Sequence, residues 1–199
     1  MRPTVPPGCL QRRLCQPFGG VALDKIAFIG LGSNLGDSPG LLGSALKALA
    51  TLPDSRLVAC SPFYRSPAMT LGDAPQPDYC NAVAQLATRL APEPLLTALL
   101  AIERAHGRLR AGEGRWQPRT LDLDLLALGA ECVHTGRLQL PHPGLSQRDF
   151  VLQPWADLAP RWPLADQSAV GDMLTRLCGD GRTPLPVWGR VTPRGGIPI

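Results

Sequence analysis

Lysine is almost missing from this 199-residue chain: of its 20 basic residues only Lys25 and Lys47 are lysines, and the rest are arginines. Base composition alone can produce that ratio, but it leaves the positive charge on planar guanidinium groups that match phosphate oxygens two at a time. Histidine is also scarce, with only His106, His134 and His142. The six cysteines (Cys9, Cys15, Cys60, Cys80, Cys132 and Cys178) contain no Cys-x-x-Cys pair and are irregularly spaced. Together these argue against a histidine-cysteine metal centre and for reduced thiols, with Cys60 and Cys80 acting as small hydrophobes in strand-like runs. No apolar run reaches the roughly 18 to 20 residues that span a bilayer, which excludes a membrane helix. What is present, 44% hydrophobic and 18% charged residues, suits one globular, soluble domain. The net charge of +4 is modest and clustered, which favours a compact anionic ligand over a nucleic-acid duplex.

Residues 1–24 carry several prolines and glycines and no acid before Asp24, so they read as an irregular extension that fits neither a secretory signal nor a transit helix. From Lys25 an apolar strand, Ile26 to Leu31, runs into the glycine-rich turn Gly30-Leu31-Gly32-Ser33-Asn34-Leu35-Gly36-Asp37. Asp37 or Ser38 can cap the helix that follows, with Pro39 in its first turn and Leu41, Leu42, Ala45, Leu46 and Leu49 at helical spacing. Such a turn either lets a ligand approach the backbone or is simply a tight connection.

A second strand is expected over Arg56 to Tyr64 and a third over Tyr79 to Thr88, joined by a long loop from Ser66 to Asp78. Period two puts Tyr79, Asn81, Val83 and Gln85 on one face of the third strand, and Cys80, Ala82, Ala84 and Leu86 on the other. Tyr79 and Asn81 are then neighbours, an aromatic plane beside an amide that suits a flat heterocycle and equally suits a solvated strand end. Pro92 to His106 is the clearest helix, closed by Gly107, with Leu96, Leu99, Leu100 and Glu103 on one stripe; Glu103 reads as a substrate acceptor or as an arginine partner. Further on lie a short strand at Arg137 to Leu140, a helix that starts with Arg148-Asp149-Phe150-Val151-Leu152 and a last one at Val170 to Cys178, followed by a tail from Gly179 rich in Gly, Pro and Arg. No internal repeat occurs.

Arg119-Thr120-Leu121-Asp122-Leu123-Asp124-Leu125 carries the chemistry. In an extended chain Asp122 and Asp124 share one face and the leucines take the other. Arg104, Arg108, Arg110, Arg115 and Arg119 precede them, opposed only by Glu103 and Glu113. Two carboxylates on one face can hold one or two Mg²⁺ ions whose shells are completed by substrate phosphates, although alternating Asp and Leu also describes a plain edge strand with a wet face.

These segments, from Gly32-Ser33-Asn34-Leu35-Gly36 through Phe63-Tyr64-Arg65-Ser66-Pro67, Pro77-Asp78-Tyr79-Cys80-Asn81-Ala82, Gly107-Arg108-Leu109-Arg110, Arg115-Trp116, the Asp-x-Asp run and Pro141-His142, resemble the 6-hydroxymethyl-7,8-dihydropterin pyrophosphokinases of folate biosynthesis over about residues 26–164. The resemblance implies a single α+β domain of ferredoxin-like character, spanning 25–178, with a mainly antiparallel central sheet flanked by helices. It also implies a cytoplasmic monomer that binds ATP and the pterin and neither nucleic acid nor membrane. The implied reaction moves pyrophosphate from ATP to the pterin hydroxymethyl group and leaves AMP. Carried over by position, Asp122 and Asp124 resemble ligands of two Mg²⁺ ions, and Arg108 and Arg119 the catalytic cations. Arg110 and Trp116 resemble mobile-loop residues on ATP, joined on the nucleotide side by Glu103, Arg137, His142 and Arg148. Gly32, Ser33, Asn34, Ser66, Pro67, Ala68, Tyr79, Asn81 and Phe150 resemble the pterin site, with Tyr79 and Phe150 as the two sandwiching rings. A nucleotidyltransferase would carry its serine turn much nearer the acids than the 89 positions separating Ser33 from Asp122. A non-catalytic anion-binding module, its Asp pair merely partnering arginines, is the other alternative.

Overall fold

The computed structural model describes residues 24–68, 76–108, 118–164, 166–179, 181 and 183–189. Its elements run β1 (Lys25–Ser33), α1 (Ser38–Ala50), β2 (Ser55–Cys60), β3 (Phe63–Ser66), β4 (Tyr79–Thr88), α2 (Pro92–Ala105), β5 (Asp122–Leu128), β6 (Val133–His134), β7 (Gln139–Leu140), α3 (Asp149–Leu158), α4 (Val170–Gly179) and β8 (Val187–Gly189). The main sheet has the order β5-β1-β4-β3-β8, with β2 also pairing β4, and every pairing in it is antiparallel. This is the expected α+β architecture.

Alternation along the strands splits the core in two. Ala27, Ile29, Leu31, Cys80, Ala82, Ala84, Leu86, Leu123 and Leu125 pack on one face against Leu42, Ala45, Leu46 and Leu49 of α1 and Leu95, Leu99 and Ile102 of α2. On the opposite face Phe28, Val83 and Leu126 meet Val151, Leu152 and Trp155 of α3 and Val170 of α4. Phe28 and Trp155 are both fully buried with ring centroids 5.0 Å apart. Side chains of this size contribute about 1.5–3 kcal/mol each by leaving water. Tyr79, Asn81, Asp122 and Asp124 lie by parity on this second face, at the end where β1 runs out to Ser33.

Three segments depart from the sequence expectation. The strand expected over Arg56 to Tyr64 is two strands, because Pro62 has no N–H for the ladder; Ser61 bridges the gap, its Oγ accepting from Val83 N–H and its own N–H donating to Val83 O, both at 3.0 Å. β1 does not end at Leu31 but runs on to Ser33, since glycine in a strand costs entropy without breaking its hydrogen bonds. The Gly/Pro-rich tail supplies β8, which pairs with β3. The buried stripe of α2 is also rotated by one position, with Leu95 in place of Leu96, and Leu100 only half-buried. Cys60, Cys80 and Cys178 are free thiols.

Candidate active site

Three adjacent strands present their site residues in register. Gly32 of β1 pairs with Asn81 of β4 on one side and with Asp122 of β5 on the other, and Gly30 pairs with Asp124. A side chain at Gly32 would place its Cβ 3.3 Å from Asn81 Oδ1, 3.8 Å from the Tyr79 ring and 3.9 Å from the Asp122 Cβ. The glycine is therefore needed as floor, so that an amide and a ring on its left and carboxylates on its right face a common space. Only Gly36 of this segment takes a left-handed backbone, with φ of 75°. Tyr79 is half-buried, and burial raises the pKa of its phenol, keeping it neutral.

The arginines converge on the acids from both sides. Arg108 pairs with both Glu103 and Asp122, and Arg119 Nη1 lies 2.8 Å from Asp122 Oδ2. Arg148, at the cap of α3, reaches Asp124 Oδ2 at 3.2 Å. Arg108 and Arg119 each keep a buried Nε–H with no partner among the described residues, a donor still available to an anion. Burial lowers the pKa of Arg108, but Asp122 and Glu103 more than offset this and raise it.

Asp124 is pushed up to about 6, first by burial and then by the Asp122 carboxylate beside it, against the pull of Arg148, Arg119 and Arg108. His142 is pushed down to about 4 by burial and by Arg148. Its Nδ1 accepts from Gly144 N–H at 3.1 Å, which places the ring proton on Nε2, 3.9 Å from Asp124 Oδ2. Neutral His142 thus aims an N–H donor at the carboxylate pair.

Several of the expected site residues have partners within the protein. Glu103 is buried; it takes the Leu123 N–H at 2.8 Å and the Arg108 guanidinium, so the arginine-partner role is the one its contacts show. Ser33 is buried and donates to Ser38 Oγ at 3.0 Å. The Asn34 amide is also engaged: Oδ1 accepts from Arg119 N–H at 2.8 Å and Nδ2 donates to Pro77 O at 3.2 Å, which staples the β1 end to the segments before β5 and β4. Arg137 pairs with Glu93 at 3.8 Å, near the start of α2 and three turns from Glu103, so it is not gathered with the acids. Ser66 accepts from Asn81 Nδ2 at 2.8 Å, and Pro67 and Ala68 follow directly. Phe150 is half-buried at the start of α3, its ring centroid 5.9 Å from the Arg148 guanidinium carbon. Arg110 and Trp116 lie outside the described residues. Sequence reading missed Tyr64, whose hydroxyl donates to Asp157 Oδ2 at 2.7 Å, and Gln153; no local pattern marks either of them.

Among the described residues no group of three or more His, Cys, Asp and Glu side chains could hold a metal ion. The Asp122 and Asp124 pair instead has the composition of a platform for Mg²⁺, a hard cation that takes one or two carboxylates and leaves its remaining positions to phosphates and water. No described helix is long and apolar enough to cross a membrane.

Residues 28–160 match the family model of 7,8-dihydro-6-hydroxymethylpterin-pyrophosphokinase. The chain is 45% identical over 159 residues to the 2-amino-4-hydroxy-6-hydroxymethyldihydropteridine pyrophosphokinase of Pseudomonas aeruginosa, covering 80% of this chain and 96% of that protein. It is 41% identical over 148 residues to the enzyme of the same name from Haemophilus influenzae, covering 74% and 90%. Among solved structures, the wild-type HPPK-DHPS of Plasmodium falciparum superposes with a TM-score of 0.61 at 11% identity, over 78% of this chain and 45% of that one. This chain therefore spans less than half of that longer protein, and the likeness to it concerns the fold alone. With carboxylates, arginines and an aromatic-amide pair set around one glycine floor, and with relatives above 40% identity along most of their length, the chain belongs to the 7,8-dihydro-6-hydroxymethylpterin-pyrophosphokinase family.

Proposed function

We propose that this chain transfers the pyrophosphoryl group of ATP to the hydroxymethyl oxygen of 6-hydroxymethyl-7,8-dihydropterin, leaving AMP, as a cytoplasmic monomer acting in folate biosynthesis. The observation that carries the assignment of roles is the register of Asn81, Gly32 and Asp122 across three neighbouring strands. Strands lie about 4.8 Å apart, so β4 and β5, on either side of β1, are roughly 10 Å apart, a gap that a heterocycle lying from β4 across Gly32 would span with its substituent toward a phosphate held at β5. Tyr79 and Phe150 would hold the pterin faces, while Asn81 and the backbone from Ser66 to Ala68 read its edge.

Asp122 and Asp124 would hold two Mg²⁺ ions, which when bound neutralise phosphate charge and ease ionisation of the attacking hydroxyl. Arg108 and Arg119, both paired with Asp122, would meet the transferred phosphates, and His142 would add its Nε2–H as a further donor. Arg148 sits where it can exchange Asp124 for a phosphate oxygen. Arg110 and Trp116 keep the role of closing over ATP, with Arg137 serving the nucleotide end remote from the acids. Holding reactants in this geometry supplies much of the acceleration, because the attack is then effectively unimolecular.

The test is formation of AMP from ATP with Mg²⁺, with and without the hydroxymethyl-dihydropterin. The reading requires AMP only when both are present; AMP without the pterin, or nucleotide attached to another acceptor, rejects it. Tyr79→Ala is expected to weaken pterin binding by about 1–3 kcal/mol, the scale of one lost stacking partner, and to leave ATP binding within twofold. Calorimetry showing equal losses for both ligands rejects the sandwich role.

A further inference from the structure

The C-terminal segment from residue 183 to 189 lies across the two elements that flank the proposed pterin slot. Gln153 of α3 grips its backbone at both ends of the side-chain amide: Nε2 donates to Leu185 O at 3.1 Å and Oε1 accepts from Leu185 N–H at 2.8 Å. One residue later Pro186 O accepts from Arg65 N–H of β3 at 2.9 Å. β8 then pairs with β3, Val187 opposite Tyr64 and Gly189 opposite Phe63. The Trp188 ring covers the Arg65 guanidinium at 4.3 Å from its centroid.

The elements joined in this way carry the pterin residues. Gln153 stands three positions after Phe150 and so shares its side of α3. Asp157, one turn further, is fixed to β3 by the Tyr64 hydroxyl at 2.7 Å. On the β3 side Arg65 directly precedes Ser66, Pro67 and Ala68. One end of α3 is thus pinned to β3 directly, and its middle is pinned through the C-terminal segment. The span between Phe150 and Ser66 is set by both ties.

We infer that the segment from Thr183 to Gly189 is a cross-brace that sets the width of the pterin slot, with Gln153 as its positioning residue. This rests on the proposed pterin subsite. The described contacts of the brace are with α3 and β3 and not with the carboxylate and arginine cluster, so it acts on pterin affinity and not on nucleotide affinity.

The experiment compares the full chain with a version ending at residue 182, and with Gln153→Leu and Trp188→Ala. Binding of the dihydropterin and of a non-hydrolysable ATP analogue with Mg²⁺ is measured separately by calorimetry. Truncation and Gln153→Leu are each expected to raise the pterin dissociation constant about tenfold and the nucleotide one less than twofold. Trp188→Ala, which keeps the backbone ties, should give a smaller loss of the same kind. Gln153→Leu added to the truncated chain should have no further effect, because both remove one tie. An unchanged pterin constant in Gln153→Leu, or equal losses for both ligands, overturns the inference. If the truncated chain does not fold, the two point variants decide it. Should the full chain itself not bind the pterin, it is the functional reading that fails.

Discussion

Asp124→Ala and Asp122→Ala are each expected to lower AMP formation at saturating ATP and pterin by at least roughly 10²- to 10³-fold, the scale on which preorganised charge stabilisation is lost. The two differ in what they do to the resting protein. Asp122 is held between Arg108 and Arg119, so its removal leaves a half-buried cationic pair unbalanced and should destabilise the fold. Asp124 carries the opposite sign. Its carboxyl takes up a proton near pH 6 in the folded chain, against an ordinary value of 3.8, so above pH 6 its ionisation works against folding. That cost is relieved as pH falls from about 6 toward 4.

The Asp124 side chain keeps 36% of its surface accessible, so solvent screening reduces the cost. Asp124→Asn should then stabilise the ligand-free protein at pH 7 to 8 by on the order of 1 kcal/mol, an advantage that shrinks below pH 6, while turnover is lost. Urea unfolding at pH 7.5 and pH 5 checks the sign. A stability–activity conflict at this residue is what a metal platform requires, since carboxylates must be held charged and close before any cation arrives. Near-normal turnover in both alanine variants removes the two-metal assignment, and an Asp124→Asn protein less stable at pH 7.5 removes the burial cost assigned to Asp124.

Alternation and chain punctuation made most of this legible beforehand. The faces of β4 and β5 follow from period two, and Leu121, Leu123 and Leu125 are buried opposite the acids. The helix limits follow from Asp37, the prolines and Gly107, whose φ of 80° ends α2. What period two cannot show is which neighbour a strand takes. The convergence on Gly32 depends on β1 lying between β4 and β5, a long-range pairing that no local pattern encodes. The partners of Ser33 and Asn34 are hidden from the sequence for a related reason. Ser33 and Asn34 belong to the substrate turn by position, but a buried polar side chain must find partners, and theirs are Ser38, Arg119 and Pro77. β8 stayed invisible because three residues between prolines and glycines carry no periodicity, and only the open edge of β3 makes them a strand.

Glu103 gives the second large effect, on stability. It sits at the C-terminal end of an apolar stripe, essentially without solvent contact, and one of its oxygens takes both the Leu123 N–H and the Arg108 guanidinium. Glu103→Ala therefore leaves a buried strand donor and part of a buried cation unmatched at the same time. The expected loss is about 3–5 kcal/mol, as when one member of a buried ion pair is removed, moderated only so far as Asp122 takes over Arg108. Glu103→Gln keeps an acceptor for Leu123 but removes the charge, and should cost about 1–3 kcal/mol. The order wild type, Gln, Ala in urea midpoint is the diagnostic result. Because Leu123 lies between the two aspartates and Arg108 bears on Asp122, turnover should follow the same order. A Glu103→Ala protein as stable as wild type but defective only in ATP affinity would show that the carboxylate faces the nucleotide during turnover rather than serving as the buried anchor of Arg108 and β5.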